Sequence, residues 1–402
     1  ATAPVVLNVC WLLAIGLLAP LTSSDPRTQV FLLAGSIVVS GAVQWGMQWA
    51  ALRRYGFRFT LDWLAWRASR DALVTMGRDM APMLLGLAIV QINGLVDGLM
   101  ALLLAQPRGG PASFAIFGHA IPYPMQSGAA SALYLGERLY QFPLGVFGVA
   151  LGTVIYPLLA RHAAGGQRAA FREDLVSGLK LVLVIGFPAG VGLVVLAGPI
   201  ADGLFRYGNV TADHAARAAR IVAGYGIGVW AYCAMQVLVR AYYALGDRRT
   251  PVRVGMAALG LNLALNCTLI WPFAEAGLAV ATAISATVQV IALFWLLQRH
   301  IVTLAWHALA DTTWRVLLAT AAMACTVLAI LACLPASQTV AGRLAHLAIA
   351  TIVGLVGYAV CATSLGLLKL LPAFPRDRAS LELVDGQGDG ATTNIPPPGS
   401  DT

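Results

Sequence analysis

Apolar residues arrive in about ten blocks of roughly seventeen residues or more with almost no charge inside them, about the length that crosses a hydrocarbon core as a helix. That arrangement leaves a chain few places to fold. Inside a bilayer every backbone N–H and C=O must be satisfied within the protein, and helices do this segment by segment. The blocks run approximately over residues 4–22, 29–52, 81–105, 130–159, 176–200, 219–245, 251–271, 276–298, 314–334 and 344–371. Composition agrees: 59% of residues are apolar and 11% charged, against roughly 45–50% and 25% in a soluble domain. The expected fold class is an all-α polytopic membrane protein, and a soluble fold is excluded.

Several functional classes fall away on the same grounds. The cysteines Cys10, Cys233, Cys267, Cys325, Cys333 and Cys361 all lie in apolar blocks without CxxC spacing. They read as small buried apolar residues, not as a zinc or redox site. The histidines are scattered, with no Ser, His and Asp grouping, so an enzyme is not indicated. A net charge of +8 raises the question of nucleic acid, but the arginines sit in short loops between spans, where the positive-inside rule accounts for them. Ala1 precedes an apolar run with no charged n-region, so the opening block is not a signal peptide.

Sorting arginines by loop places sixteen, among them Arg53, Arg54, Arg58, Arg161, Arg248 and Arg299, on one side and six, Arg27, Arg108, Arg206, Arg217, Arg220 and Arg343, on the other. The richer side is expected to be cytoplasmic, which puts both ends of the chain there. Thr60 to Met80 alternates Trp and Leu with Arg and Asp and predicts a helix lying on the interface. Beyond Leu371 the Pro, Gly and Asp content predicts a disordered tail over 372–402.

An internal echo suggests a repeat. The first block opens Ala3-Pro4-Val5 with Asn8 beyond, and the seventh opens Thr250-Pro251-Val252 with Asn262 beyond. The second ends Trp49 to Arg54, the eighth Trp295 to His300. The offset is six helices, as in transporters built from repeated bundles, and it predicts four helices before Ala1. Two longer stretches carry a family likeness. Tyr134-Leu135-Gly136-Glu137-Arg138-Leu139-Tyr140-Gln141-Phe142-Pro143, continuing to Thr153, resembles the eighth helix of the MurJ (MviN) family of lipid II flippases. Leu238-Val239-Arg240-Ala241-Tyr242-Tyr243-Ala244-Leu245-Gly246-Asp247, continuing to Val252, is similar to that family's link between helices ten and eleven. The likeness runs from Ala1 to about Leu371 and begins at the family's fifth helix, in agreement with the repeat offset.

The resemblance implies a fourteen-helix, two-lobe member of the multidrug/oligosaccharidyl-lipid/polysaccharide exporter superfamily in the bacterial inner membrane. Residues 1–52 would be the last two helices of the N-terminal lobe, 53–80 a cytoplasmic interfacial segment, 81–300 the C-terminal six-helix lobe, and 301–371 two additional helices. It implies lipid II as cargo, the bilayer and cell-wall synthesis proteins as partners, no nucleic acid and no cofactor, with a sodium ion or the membrane potential as coupling. The alternatives are a polysaccharide-lipid flippase or drug/cation antiporter of the same superfamily, or a non-transporting scaffold. The connection 106–128 looks longer than the family's.

Cargo with a pyrophosphate needs a polar cavity with cationic groups, and Arg suits it because its planar fork donates two parallel hydrogen bonds. Arg138 lies about two turns inside its span, with Tyr134 and Gln141 on the same face by spacing; Glu137, about 100° around the helix, is a candidate counter-ion. These four are the candidate substrate-binding residues. The resemblance further implies that Asp97, Asn262, Asn266 and Thr282, with a carbonyl near Leu278, ligate a sodium ion, although Asn266 stands where some relatives have an acid. Polar helix-to-helix contacts are the competing reading. Arg240, Lys180 and Lys369 read as snorkelling side chains. Pro143, Pro188 and the glycines Gly148 and Gly152 read as sites of kinking or close packing.

Overall fold

A computed structural model describes residues 3–18, 26–56, 67, 69–116, 119–206, 210–300, 306–334, 337 and 339–367. The chain divides into two units, Ala1–Arg78 and Asp79–Thr402. Nine helices among the described residues are long and apolar enough to cross a membrane, matching nine of the ten apolar blocks. The exception is the first block, whose described part is α1 (Ala3–Leu13) and a π-helical turn over Ala14–Leu18; its last residues, 19–22, lie outside the described residues.

In the first unit α1 packs against α2 (Pro26–Arg54). Ser40, fully buried, turns its hydroxyl back onto Ser36 O at 2.6 Å, so the polar atom is satisfied within its own helix. The expected interfacial segment 60–80 is only partly described. Residues 60–66 and 68 lie outside the described residues, and from Arg70 the chain is already α3 (Arg70–Leu103), continuous with the span. The charges of Arg70, Asp71 and Arg78 therefore extend a membrane helix instead of forming a separate one. The tail 372–402 and Lys369 also lie outside the described residues.

The second unit is built around α8 (Ala212–Ala244), by far the most buried of its spans. It packs against α4 (Ala129–Pro143), α5 (Ala150–Ala164), α6 (Arg168–Val195), α7 (Ala197–Leu204) and α10 (Glu275–His300); α9 (Arg249–Phe273) lies on α10, and α11 (Trp306–Cys333) pairs with α12 (Val340–Ser364) and α6. Small residues set the closest crossing. A Cβ at Gly190 would stand 2.6 Å from Gly226 O, and one at Gly226 3.0 Å from Gly190 O, so α6 and α8 approach backbone to backbone, as membrane helices do without a hydrophobic drive between them. Between α4 and α5 the helix opens into a π-helical stretch, Leu144–Val149, directly after Pro143. A proline has no N–H to give and its ring crowds the carbonyl four residues back, and a π turn is one way to absorb both.

Helix ends carry their own caps. Asp247 accepts from the backbone N–H of Arg249 and of Thr250, each at 3.0 Å, at the start of α9. Burial works against ionisation of this carboxyl, but the donors of Thr250 and Arg249 and the charge of Arg253 outweigh it and hold it below the usual carboxylate range. The connection 106–128 contains the one sheet among the described residues: an antiparallel pair of β1 (Ser113–Ile116) and β2 (His119–Pro122), with Phe114 opposite Ile121. Its root is anchored. Gln106 N–H donates to Met125 O at 2.8 Å, and Met125 is buried among Ala101, Leu133, Ile221, Tyr225 and Leu278.

Behind that anchor sits a buried ion pair. Arg217, in the second turn of α8, donates through Nε to Glu275 at the start of α10. Its other two nitrogens donate to Ser127 O at 3.0 Å and Gln126 O at 3.3 Å. One guanidinium thus joins the ends of α8 and α10 to the backbone leading into α4, using the fork that distinguishes Arg from Lys.

Candidate functional site

A cavity of about 870 Å³ opens inside the second unit between α3, α4, α5, α8, α9 and α10. Its acidic corner brings the four candidate cation ligands together. Asp97 is buried on α3, and Asn266 Nδ2 of α9 donates to its Oδ1 at 2.6 Å, while Thr282 Oγ1 of α10 donates to its Oδ2 at 3.1 Å. Asn266 Nδ2 also reaches Asn262 Oδ1 at 3.0 Å, and Asn262 Nδ2 donates to Thr282 Oγ1 at 3.2 Å. Asn93, one turn before Asp97, donates to Oδ2 at 3.5 Å. Leu278 is fully buried one turn before Thr282. Residues up to 185 positions apart meet here.

One atom in this cluster is left over. Asn266 Oδ1 is buried without a hydrogen-bond partner, a state that costs about 1–3 kcal/mol unless something compensates. Oxygen atoms from a carboxylate, two amides and a hydroxyl suit a hard cation. Among the described residues no group of three or more His, Cys, Asp or Glu is placed to hold a metal ion.

The candidate substrate residues all lie on α4, two of them on the cavity wall. Tyr134 and Glu137 line the cavity. Arg138 is exposed, with Nη2 donating to Tyr134 Oη and Nη1 to Gln141 Oε1, both at 3.0 Å, and its guanidinium lies over the Tyr134 ring at 4.5 Å. The expected shared face of Tyr134, Arg138 and Gln141 is therefore present. Glu137 is not a direct counter-ion: no ion pair joins it to Arg138 among the described residues. Gln141 stands between them instead, its Nε2 donating to Glu137 Oε1 at 3.0 Å.

Other lining residues were not singled out by spacing. Tyr140 of α4 inserts its ring between Tyr225 and Tyr232 of α8, with centroids 4.7 and 4.9 Å away. The spacing of 225 and 232, seven residues apart on one helix, is the signal that was available. Arg240, read from sequence as snorkelling, lines the cavity and donates to Gln236 Oε1 at 3.0 Å. A Cβ at Gly152 would stand 2.7 Å from Arg240 Nη1, so the small residue on α5 is what makes room for the guanidinium. Gly148, one turn earlier, lets α5's neighbour turn meet Cys233 in the same way.

Comparison with known proteins places this architecture. The sequence profile of a family described as lipid II flippase MurJ matches residues 1–356. A probable lipid II flippase MurJ of Vibrio cholerae is 33% identical over 291 residues, which cover 72% of this chain and 50% of that protein. A probable lipid II flippase MurJ of Haemophilus influenzae is 32% identical over 298 residues, covering 73% of this chain and 53% of that one. The chain spans about half the length of the curated relatives it matches. A solved structure titled lipid II flippase MurJ, inward closed conformation, superposes with a TM-score of 0.58 over 91% of this chain and 68% of that one, at 17% identity. At that identity the likeness establishes the fold.

Proposed function

The chain belongs to the MurJ lipid II flippase family, and from that premise we propose that the protein of which it forms part moves lipid II from the cytoplasmic to the periplasmic leaflet of the bacterial inner membrane by alternating access. The observation that carries this reading is a cavity of about 870 Å³ within a bundle of apolar helices, mostly apolar in its lining but holding Asp97, Glu137 and Arg240. Ionisable groups inside a bilayer core are costly and mark substrate or ion pathways by default. Arg138 is the residue proposed to grip the pyrophosphate. Arg138 is exposed and always charged, and its two Nη atoms donate to Tyr134 Oη and Gln141 Oε1, which hold the fork. Growth of a host depleted of its own lipid II flippase tests the reading: the full-length protein restores growth if it is right, and abundant, folded protein that restores none overturns it.

Coupling is assigned to the acidic corner. A monovalent cation at Asp97 would satisfy Asn266 Oδ1 and draw α3, α9 and α10 together, and the oxygens of Asp97, Asn262, Asn266 and Thr282 would hold it. A ligand that binds only the folded state stabilises it by mass action, about 2.7 kcal/mol at a hundred times its dissociation constant. Sodium is accordingly expected to raise the melting temperature of the purified full-length protein, and Asp97→Ala to abolish the increment. An equal sodium response in Asp97→Ala would leave these residues as contacts between helices.

Orientation follows from the loop charges: the loop 53–80 and both ends of this chain face the cytoplasm. Single cysteines in an otherwise cysteine-free protein report on this. Position 110 is expected to react with an impermeant thiol reagent in intact cells and position 58 to stay protected; the reverse pattern would invert the topology.

A further inference from the structure

A proline inside a membrane helix leaves one carbonyl without its donor, and in α6 another helix takes up that carbonyl. Pro188 is the proline inside α6. Having no N–H, it cannot bond to Val184 O four residues back. After Pro143 the helix meets the same problem by widening into a π-helical stretch. In contrast, α6 stays α-helical from Arg168 to Val195, and the missing donor is Tyr358 of α12, whose Oη donates to Val184 O at 2.6 Å. In a bilayer core such a carbonyl finds no water, so neighbouring helices are what can satisfy it.

The choice of acceptor is selective. A half-buried phenol needs a partner, but carbonyls in a helix interior already accept from their own ladder. Tyr358 meets the carbonyl of α6 that Pro188 frees. Around it the contacts run on to α8. Tyr358 and Phe187 both pack against the cluster of Val184, Val316, Ala319 and Ala362, and Phe187 stacks on Trp230 of α8 with ring centroids 5.2 Å apart and planes 7° from parallel. A Cβ at Gly186 would stand 2.9 Å from Trp230 Cα, so α6 lies directly on α8 on both sides of the proline. Tyr232, two residues beyond Trp230, is in the cavity wall. The helix that carries Tyr358 is itself braced: a Cβ at Gly354 would stand 2.6 Å from Val327 Cγ2 of α11, and Arg315 of α11 donates to Leu365 O at the end of α12 at 2.9 Å.

We propose that Tyr358 is a positioning residue for transport: by capping the carbonyl that Pro188 frees, it clasps α6 at its proline and holds the α8 wall of the cavity in register with the α11–α12 pair. Proline is where a membrane helix can bend, and the phenol restrains that freedom from outside the helix. The clasp follows from the geometry; its consequence for transport rests on the flippase reading.

Tyr358→Phe keeps the ring and removes the donor, and Pro188→Ala gives Val184 O an N–H of its own helix. The two changes, singly and together, form a double-mutant cycle in the purified full-length protein, read by amide hydrogen exchange over residues 184–195. With Pro188 present, Tyr358→Phe is expected to speed exchange there about three- to tenfold, the worth of one hydrogen bond between membrane helices. In Pro188→Ala the same change is expected to have less than about a twofold effect, because the carbonyl no longer needs the phenol. Pro188→Ser supplies the same N–H if Pro188→Ala does not fold. In liposomes, at equal amounts of folded protein, Tyr358→Phe is expected to move a polyprenyl pyrophosphate-linked disaccharide at least about threefold more slowly than wild type. Unchanged exchange in Tyr358→Phe, equal acceleration with and without Pro188, or an unchanged transport rate overturns the proposal. Wild-type protein that moves no cargo overturns the flippase reading instead, and the exchange cycle still decides whether Tyr358 clasps α6.

Discussion

Arg217→Ala is expected to cost the folded protein about 3–5 kcal/mol, because it strands a buried carboxylate. Glu275 is buried at the other end of the pair, and the carbonyls of Ser127 and Gln126 lose their donors in the same step. The loss is therefore larger than that of an exposed ion pair, which is worth about 0–1 kcal/mol. Arg217→Lys keeps a charge near Glu275 but cannot reach three acceptors at once, and is expected to fall between alanine and wild type. Replacing both partners with apolar residues, Arg217→Met with Glu275→Leu, removes the stranded charge and is expected to recover most of the loss. Thermal unfolding in detergent, read from intrinsic fluorescence, ranks the four proteins. If Arg217→Ala melts with wild type, the pair is not what holds α8 and α10 to the segment entering α4.

The second large effect concerns function. In the full-length protein, Arg138→Ala is expected to abolish growth of a host depleted of its own flippase, and Arg138→Lys to impair it partly, since lysine keeps the charge without the planar fork. Stability separates this from a structural role. Arg138 is exposed and, among the described residues, its side chain bonds within its own helix, to Tyr134 and Gln141, so its loss strands no buried charge and the variant is expected to accumulate normally. Loss of growth that tracked loss of protein would mark Arg138 as structural, and normal growth at normal abundance would remove it from the substrate site.

Much of this was legible in the sequence, for a physical reason that also marks where reading stops. A span declares itself by length and apolarity, because the bilayer fixes both, and nine blocks became nine described helices. The shared face of Tyr134, Arg138 and Gln141 followed from helical spacing alone. Partners far apart in sequence did not. Arg217 was counted only as a loop charge, since nothing local points to Glu275, 58 residues later. Arg240 was read as snorkelling because its position near a helix end is visible and the gap left by Gly152 on another helix is not. The strand pair β1–β2 hid in a stretch rich in Gly and Pro, whose turn chemistry masks two strands of four residues each. The cation cluster became a candidate through family resemblance; polarity in a span says that a partner exists, not which one.

Translocation by purified full-length protein in liposomes tests the central claim most directly. The cargo is a polyprenyl pyrophosphate bearing an N-acetylated disaccharide, placed in both leaflets, and its accessibility to an impermeant sugar-modifying reagent outside is followed over time. Wild-type protein is expected to expose the inner-leaflet pool and Arg138→Ala to leave it protected, with both proteins folded and inserted to the same extent. Inner-leaflet cargo that stays protected from wild-type protein, or is exposed equally by Arg138→Ala, would contradict the account.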